Sequence, residues 1–195
     1  MKTDAINYDV IYKEARRLFF ETTLNYKIDR KTESIAYLIA LETALRVSDM
    51  LLLEYSSFKF DMDLKAYTFT THIKKTDVKH TGVISNELYN YIETFKNTII
   101  DNNHTPNNYI FWNYKTDKPY TRQWLHKRIK KLSNLIDIDN ISMHSLRKAS
   151  AIKVLDKTGS LSMAQYQLSH KRASTTDKYL SVTKRTALEQ LRKVF

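Results

Sequence analysis

Cysteine is absent from this 195-residue chain, and glycine and proline occur only twice each. Without cysteine there is neither a disulfide framework nor a thiolate zinc site, which fits a reducing cytoplasm, the expected location. So few glycines and prolines leave little of the tight-turn chemistry that a many-stranded all-β fold requires, and they suit long helices. Acidic residues are in deficit: 21 Asp and Glu against 32 Lys and Arg give a net charge of +11. That excess is the electrostatic footprint of a polyanion binder. A long uninterrupted apolar run is also missing. The most apolar region, Ile35 to Leu53, is broken by Glu42, Arg46 and Asp49, so it reads as a buried helix and not as a membrane span. The start, Met1 to Asn7, lacks the apolar stretch of a secretory signal, and no membrane partner is expected.

An apolar fraction of 42% supports one sizeable core, and the chain length favours a single domain over 1–195. The expected fold class is α+β, mostly α. Residues from about Ala5 to Leu24 form an amphipathic helix with Ile11, Leu18 and Phe19 on its apolar side. Thr32 is a candidate cap for a second helix carrying Ile35, Leu38, Ile39 and Leu45. Between Phe58 and Ser85 the period changes to two: Phe58/Phe60, then Tyr67/Phe69/Thr71/Ile73, then Val83. This predicts a small antiparallel sheet. Ser85 is a candidate N-cap for the helix with Leu88, Ile92, Phe95 and Ile99, and the segment 102–108 is a loop. Further helices are expected from Thr121 to about Ile136, from about His144 to Leu155 with a stop near Gly159, and from Ser160 or Ser162 to Leu168. Two short helices follow, one carrying Tyr179 and one in the tail Thr183–Phe195.

The chemistry-bearing residues form an ordered set. His144-Ser145-Leu146-Arg147 is followed by His170, with Tyr179 nine residues after it. Arg46 lies upstream in Ala44-Leu45-Arg46-Val47-Ser48-Asp49, and Lys75 in Lys74-Lys75-Thr76-Asp77-Val78-Lys79. Metal-free attack on a phosphodiester needs a nucleophile, neutralisation of the non-bridging oxygens and a proton for the leaving alkoxide. A phenol, two imidazoles, two guanidiniums and an ammonium supply those functions. Guanidinium suits the phosphate because it stays charged and presents a planar fork of donors. Taken singly, each residue has an ordinary explanation. His-x-x-Arg is common, any of thirteen tyrosines is more often a packing aromatic, and Arg46 in an apolar run calls for a partner such as Glu42 or Asp49.

Taken in order, the set resembles that of the tyrosine recombinase (phage integrase) family, and the resemblance covers nearly the whole chain. It implies a helical catalytic domain with a small antiparallel sheet. It also implies site-specific DNA recombination through a 3′-phosphotyrosyl link at Tyr179. On the family's pattern Arg46 and Arg147 bind the non-bridging oxygens, and His144 assists proton transfer and orientation. His170 donates to a phosphate oxygen, and a lysine on a mobile β-hairpin protonates the departing 5′ oxygen. Of Lys74 and Lys75 the resemblance favours Lys75, since Lys75-Thr76-Asp77-Val78-Lys79 resembles the family's Lys-Thr-Gly-x-Lys turn. Bond energy is kept in the phosphotyrosine, so no ATP, metal or other cofactor is needed. Three positions depart from the pattern: Ala44 and Ser169 stand where the family commonly has glycine, and Lys148 where a histidine is frequent. Because Arg46 comes so early, no N-terminal DNA-clamping domain is expected. The chain resembles the stand-alone catalytic domains of small inversion and integration recombinases.

The segment Tyr120–Leu132 combines an apolar side (Trp124, Leu125, Ile129, Leu132, with Ile136 beyond) and a basic side of Arg122, Lys127, Arg128, Lys130 and Lys131. Its expected partner is double-stranded DNA, met mainly at phosphates, with Arg122 or Gln123 reaching base edges. In the resembling family the helix just before His-x-x-Arg enters the major groove. Lys79, Arg172 and Lys178 are further candidates for phosphate contact. Leu188, Leu191, Val194 and Phe195 in the tail either cover the chain's own core or, as is frequent in the family, dock into a neighbour. The latter implies a homotetramer joining two DNA sites, and the expected lack of a clamp implies a need for accessory DNA-bending proteins. The competing expectations are DNA relaxation of the type IB topoisomerase kind and a DNA-binding regulator with vestigial groups; a metal-dependent nuclease using His144 and His170 lacks nearby carboxylates.

Overall fold

The computed structural model describes residues 7–21, 27–75, 77–139, 141–169 and 184–195. Helix α1 (Tyr8–Phe20) starts at Asn7, whose side chain accepts from the backbone N–H groups of Asp9 and Val10. It buries Tyr8, Ile11, Ala15, Leu18 and Phe19, a stripe at helical spacing that packs on α2 (Lys27–Thr43). Helix α2 is the centre of the molecule: every residue from Thr32 to Leu45 is buried, with α1, α4 and α6 around it. Thr32, expected as its cap, lies inside the helix instead. Its hydroxyl donates to the Ile28 carbonyl at 2.7 Å, the back-bond available to a threonine within a helix.

The apolar run is not one helix. Helix α2 ends at Thr43, Ala44 takes a left-handed φ of 51°, and Arg46 becomes the N-cap residue of the short helix α3 (Val47–Met50). A three-stranded antiparallel sheet follows: β1 (Phe58–Asp61), β2 (Ala66–Ile73) and β3 (Val78–Ile84), in that order. Register pairs Phe58 with Phe69, Thr70 with Thr81 and Ile73 with Val78. Gly82 is required where it stands, because a β-carbon there would collide with the Phe69 ring. Ser85, the expected cap, holds the first turn of α4 (Asn86–Asp101), and Thr121, expected to begin the next helix, caps α5 (Arg122–Leu135). A short hairpin of β4 (Trp112–Asn113) and β5 (Lys118–Pro119) precedes α5.

Helix α6 (Met143–Thr158) opens on a reciprocal Ser142/Ser145 capping box and stops at Gly159, φ 65°. Helix α7 (Leu161–Gln167) is capped by Ser160, and α8 (Lys184–Leu191) lies in the tail. Leu188 and Leu191 of α8 are buried with Leu64, Ala66, Val83, Val154 and Met163, and the Arg192 guanidinium donates to the Leu64 carbonyl at 2.8 Å. The tail therefore covers its own chain. Among the described residues no helix is long and apolar enough to cross a membrane.

Candidate active site

Arg147 is the fifth residue of α6 and is only 5% exposed. A buried guanidinium must have partners, and here they are main-chain carbonyls. One terminal nitrogen donates to the Ala44 carbonyl, and the other to the Leu168 carbonyl at 2.5 Å. Both carbonyls adjoin or belong to left-handed residues, since Ala44 and Ser169 each have φ 51°. These are the two positions where glycine was anticipated. The Ser169 hydroxyl is buried with no hydrogen-bond partner among the described residues. Burial, and then the charge of Arg46, push the Arg147 pKa down to about 10, against the opposing pull of Asp49.

Arg46 and Asp49 sit at the two ends of one turn of α3. Asp49 is buried, and one of its carboxylate oxygens accepts the Lys74 backbone N–H at 3.3 Å. Its other oxygen and Nη1 of Arg46 are buried without a hydrogen-bond partner among the described residues. The second acidic candidate for Arg46 is placed elsewhere: Glu42 accepts from the Ser85 N–H and hydroxyl, both at 2.7 Å, and from the Tyr12 hydroxyl at 2.8 Å. Two guanidiniums against one carboxylate leave a positive centre with a free donor, a set suited to an oxyanion and not to a cation.

The Asp49–Lys74 bond ties the turn between β2 and β3 to the arginines, and Lys75 is exposed on that turn. His144 is exposed on the first turn of α6, three residues before Arg147. The structure thus brings Arg46 and Arg147 together and mounts Lys75 and His144 on elements attached to that pair. His170, Arg172, Lys178 and Tyr179 lie outside the described residues. Sequence reasoning took Asp49 only as a charge partner and missed its tie to the hairpin. It also missed the carbonyls of Ala44 and Leu168, for which the two replaced glycines were the available signal.

On α5, Arg122, Gln123, Lys127, Lys130 and Lys131 are exposed, as is Lys79 on β3. Arg128, expected on the outer face, is half-buried: its Nε lies 3.1 Å from a carboxylate oxygen of Glu33. Trp124 is half-buried too, with its ring 4.1 Å from that of Tyr120.

Residues 11–186 match the model of the phage integrase family. The chain is 23% identical over 159 residues to the probable integrase/recombinase YoeC of Bacillus subtilis, covering 80% of this chain and 81% of that protein. It is 26% identical over 186 residues to tyrosine recombinase XerC of Pediococcus pentosaceus, covering 94% of this chain and 61% of the relative. Among solved structures, XerH site-specific recombinase bound to palindromic difH substrate superimposes with a TM-score of 0.71 at 20% identity, over 95% of this chain and 51% of that one. The integrase of mycobacterium phage Brujita gives 0.63 at 17%, over 95% and 57%. At such identities the superpositions establish the fold. The chain spans about half the length of the XerH chain.

Proposed function

Since the chain belongs to the phage integrase family, the tyrosine recombinases, we propose that it is a site-specific DNA recombinase that cuts and rejoins DNA through Tyr179, without metal or ATP. The observation that carries this reading is the buried Arg147 with the charge of half-buried Arg46 acting on it, and an Arg46 donor that has no partner among the described residues. A phosphate oxygen is the partner that such a donor lacks. In the proposed reaction the Tyr179 phenolic oxygen attacks phosphorus, and His144 assists removal of its proton. Arg46, Arg147 and His170 hold the non-bridging oxygens as negative charge builds on them. The bond to the 5′ oxygen breaks, and Lys75 supplies its proton. A 5′ hydroxyl of another strand then reverses the sequence and releases Tyr179. Arg122, Gln123, Lys127, Lys130 and Lys131 would follow the DNA groove and its phosphates, with Lys79 and Arg172 adding backbone contacts.

Four such chains on two DNA sites would exchange strands, and the close packing of α8 on its own body bears on how they assemble. Tail exchange between neighbours would require Leu188 and Leu191 to leave the site they fill here. Deleting residues from Thr183 onward without loss of paired-site complexes would rule that exchange out. The central experiment uses a nicked suicide duplex of a candidate site with EDTA present. A covalent protein–DNA adduct is expected, lost in Tyr179→Phe and in Arg147→Ala; normal adduct formation by Tyr179→Phe would overturn the assignment.

A further inference from the structure

Two ladders of side chains face each other between the central helix and the basic helix. On α2, Asp29 and Glu33 stand one turn apart; on the α5 side, Tyr120, Trp124 and Arg128 follow one another at the same spacing. The Tyr120 hydroxyl donates to Asp29 at 2.5 Å, and the Tyr120 and Trp124 rings lie 4.1 Å apart. The Arg128 guanidinium sits 5.2 Å from the Trp124 ring centroid and meets Glu33 at 3.1 Å. Glu33 is 1% exposed, and its second oxygen meets Arg30 at 3.5 Å. Burial raises the Glu33 pKa, with Arg128 and Arg30 opposing the rise.

An arginine ion-paired through its Nε, without a hydrogen bond, to a buried carboxylate and flanked by an indole ring is a poor surface phosphate ligand. It is well placed, however, to set how α5 rolls on the body. The neighbours Lys127, Lys130 and Lys131 are exposed. We propose that Glu33 and Arg128 form a positioning pair that fixes the roll of α5, so that Arg122, Gln123, Lys127, Lys130 and Lys131 meet DNA in register, while Arg128 itself does not contact a phosphate. The inference rests on the reading that α5 faces DNA.

The two possible roles of Arg128 predict opposite signs. As a phosphate ligand, Arg128 would be restrained by Glu33, and Glu33→Gln would free it and tighten binding. As a strut it loses its anchor in the same variant, and binding weakens. Fluorescence anisotropy of the full chain on a random-sequence duplex of about 30 base pairs, across a range of salt, reads both affinity and salt slope. Work at low temperature, where the variants are folded, separates presentation of the helix from stability. A pair that only stabilises the fold would shift Tm and leave the affinity unchanged, which would overturn the proposal.

Glu33→Gln and Arg128→Gln are each expected to weaken binding about threefold to tenfold, with the double variant no worse than either and the salt slope unchanged. The exchanged pair, Glu33→Arg with Arg128→Glu, should recover part of the loss. Arg128→Lys keeps the charge but loses the Nε that meets Glu33 and the guanidinium beside the Trp124 ring, so it should weaken binding as Arg128→Gln does; a phosphate ligand would tolerate it. Lys127→Ala with Lys130→Ala is the reference and should lower the slope by about 2. If the reference lowers the slope and Arg128→Gln also lowers it by about 1, with Glu33→Gln neutral or tighter, the positioning proposal fails alone. If the reference leaves the slope unchanged, the reading of α5 as the DNA-facing helix fails, and the proposal with it.

Discussion

Ser169→Gly should make the protein more stable, although it removes atoms from a partly buried turn. A non-glycine residue in the left-handed region costs about 1–2 kcal/mol, and Ser169 has φ 51°. Its hydroxyl is buried without a partner among the described residues, a desolvation cost of about 1–3 kcal/mol. Glycine recovers both and loses about 0.4–1 kcal/mol through the greater freedom of the unfolded chain. The balance is a gain of about 2 kcal/mol, or roughly 4–8 °C in Tm for a chain of this size. Ala44→Gly is the internal control. It has the same φ, but its methyl group is fully buried, and losing that contact costs about 0.8 kcal/mol. Its net effect should therefore lie within about 1 kcal/mol of zero. Thermal and urea unfolding followed by circular dichroism measure both variants. A Ser169→Gly protein no more stable than the parent would refute the strain argument, as would an Ala44→Gly gain equal to that of Ser169→Gly.

Gly82→Ala should cost about 1–3 kcal/mol by overpacking, because its β-carbon would stand 2.7 Å from Cζ of Phe69; adding Phe69→Leu should return part of that loss, and strict additivity in urea unfolding would argue against the contact. Glu42→Gln tests a buried carboxylate whose pKa is raised by burial, against the lowering effect of its bonds from Ser85 and Tyr12 and the charge of Lys153. Above the raised folded pKa the ionised group carries its full burial cost. As pH falls through that value toward the unfolded value of about 4.3, the folded chain takes up the proton first and gains stability that the glutamine variant cannot gain. The stability of the parent minus that of Glu42→Gln should therefore rise as pH is lowered from neutrality, and a falling difference would contradict the assignment.

Features set by local chemistry were legible in the sequence. Ser85, Thr121 and Ser160 announce helix starts because a hydroxyl satisfies an N–H two or three residues away, and Gly159 announces a stop because it adopts the left-handed conformation without strain. The break at Ala44 carried no such signal, since alanine is the best helix former. What favours the break is tertiary: the carbonyl it frees accepts from Arg147, 103 residues away. Arg128 was misplaced for a related reason. Helical period puts it at the edge of the basic face, and only the fold brings the buried Glu33 to it.

The same division runs through the site. The candidates Arg46, Lys75, His144, Arg147, His170 and Tyr179 could be singled out together because few side-chain types perform phosphoryl chemistry, and their order carried the family resemblance. Arg147 is anchored by two carbonyls, and every residue type has a carbonyl. The anchors thus leave no residue-type signature of their own. Their trace is conformational, a left-handed turn at each of two positions, and it surfaces in sequence only because glycine is the residue usually found there. Alanine and serine at those positions show that the turn is enforced by what it holds. The Arg147 guanidinium bonds the carbonyls of Ala44 and Leu168 on either side, and that tertiary fit offsets a conformation the local sequence disfavours.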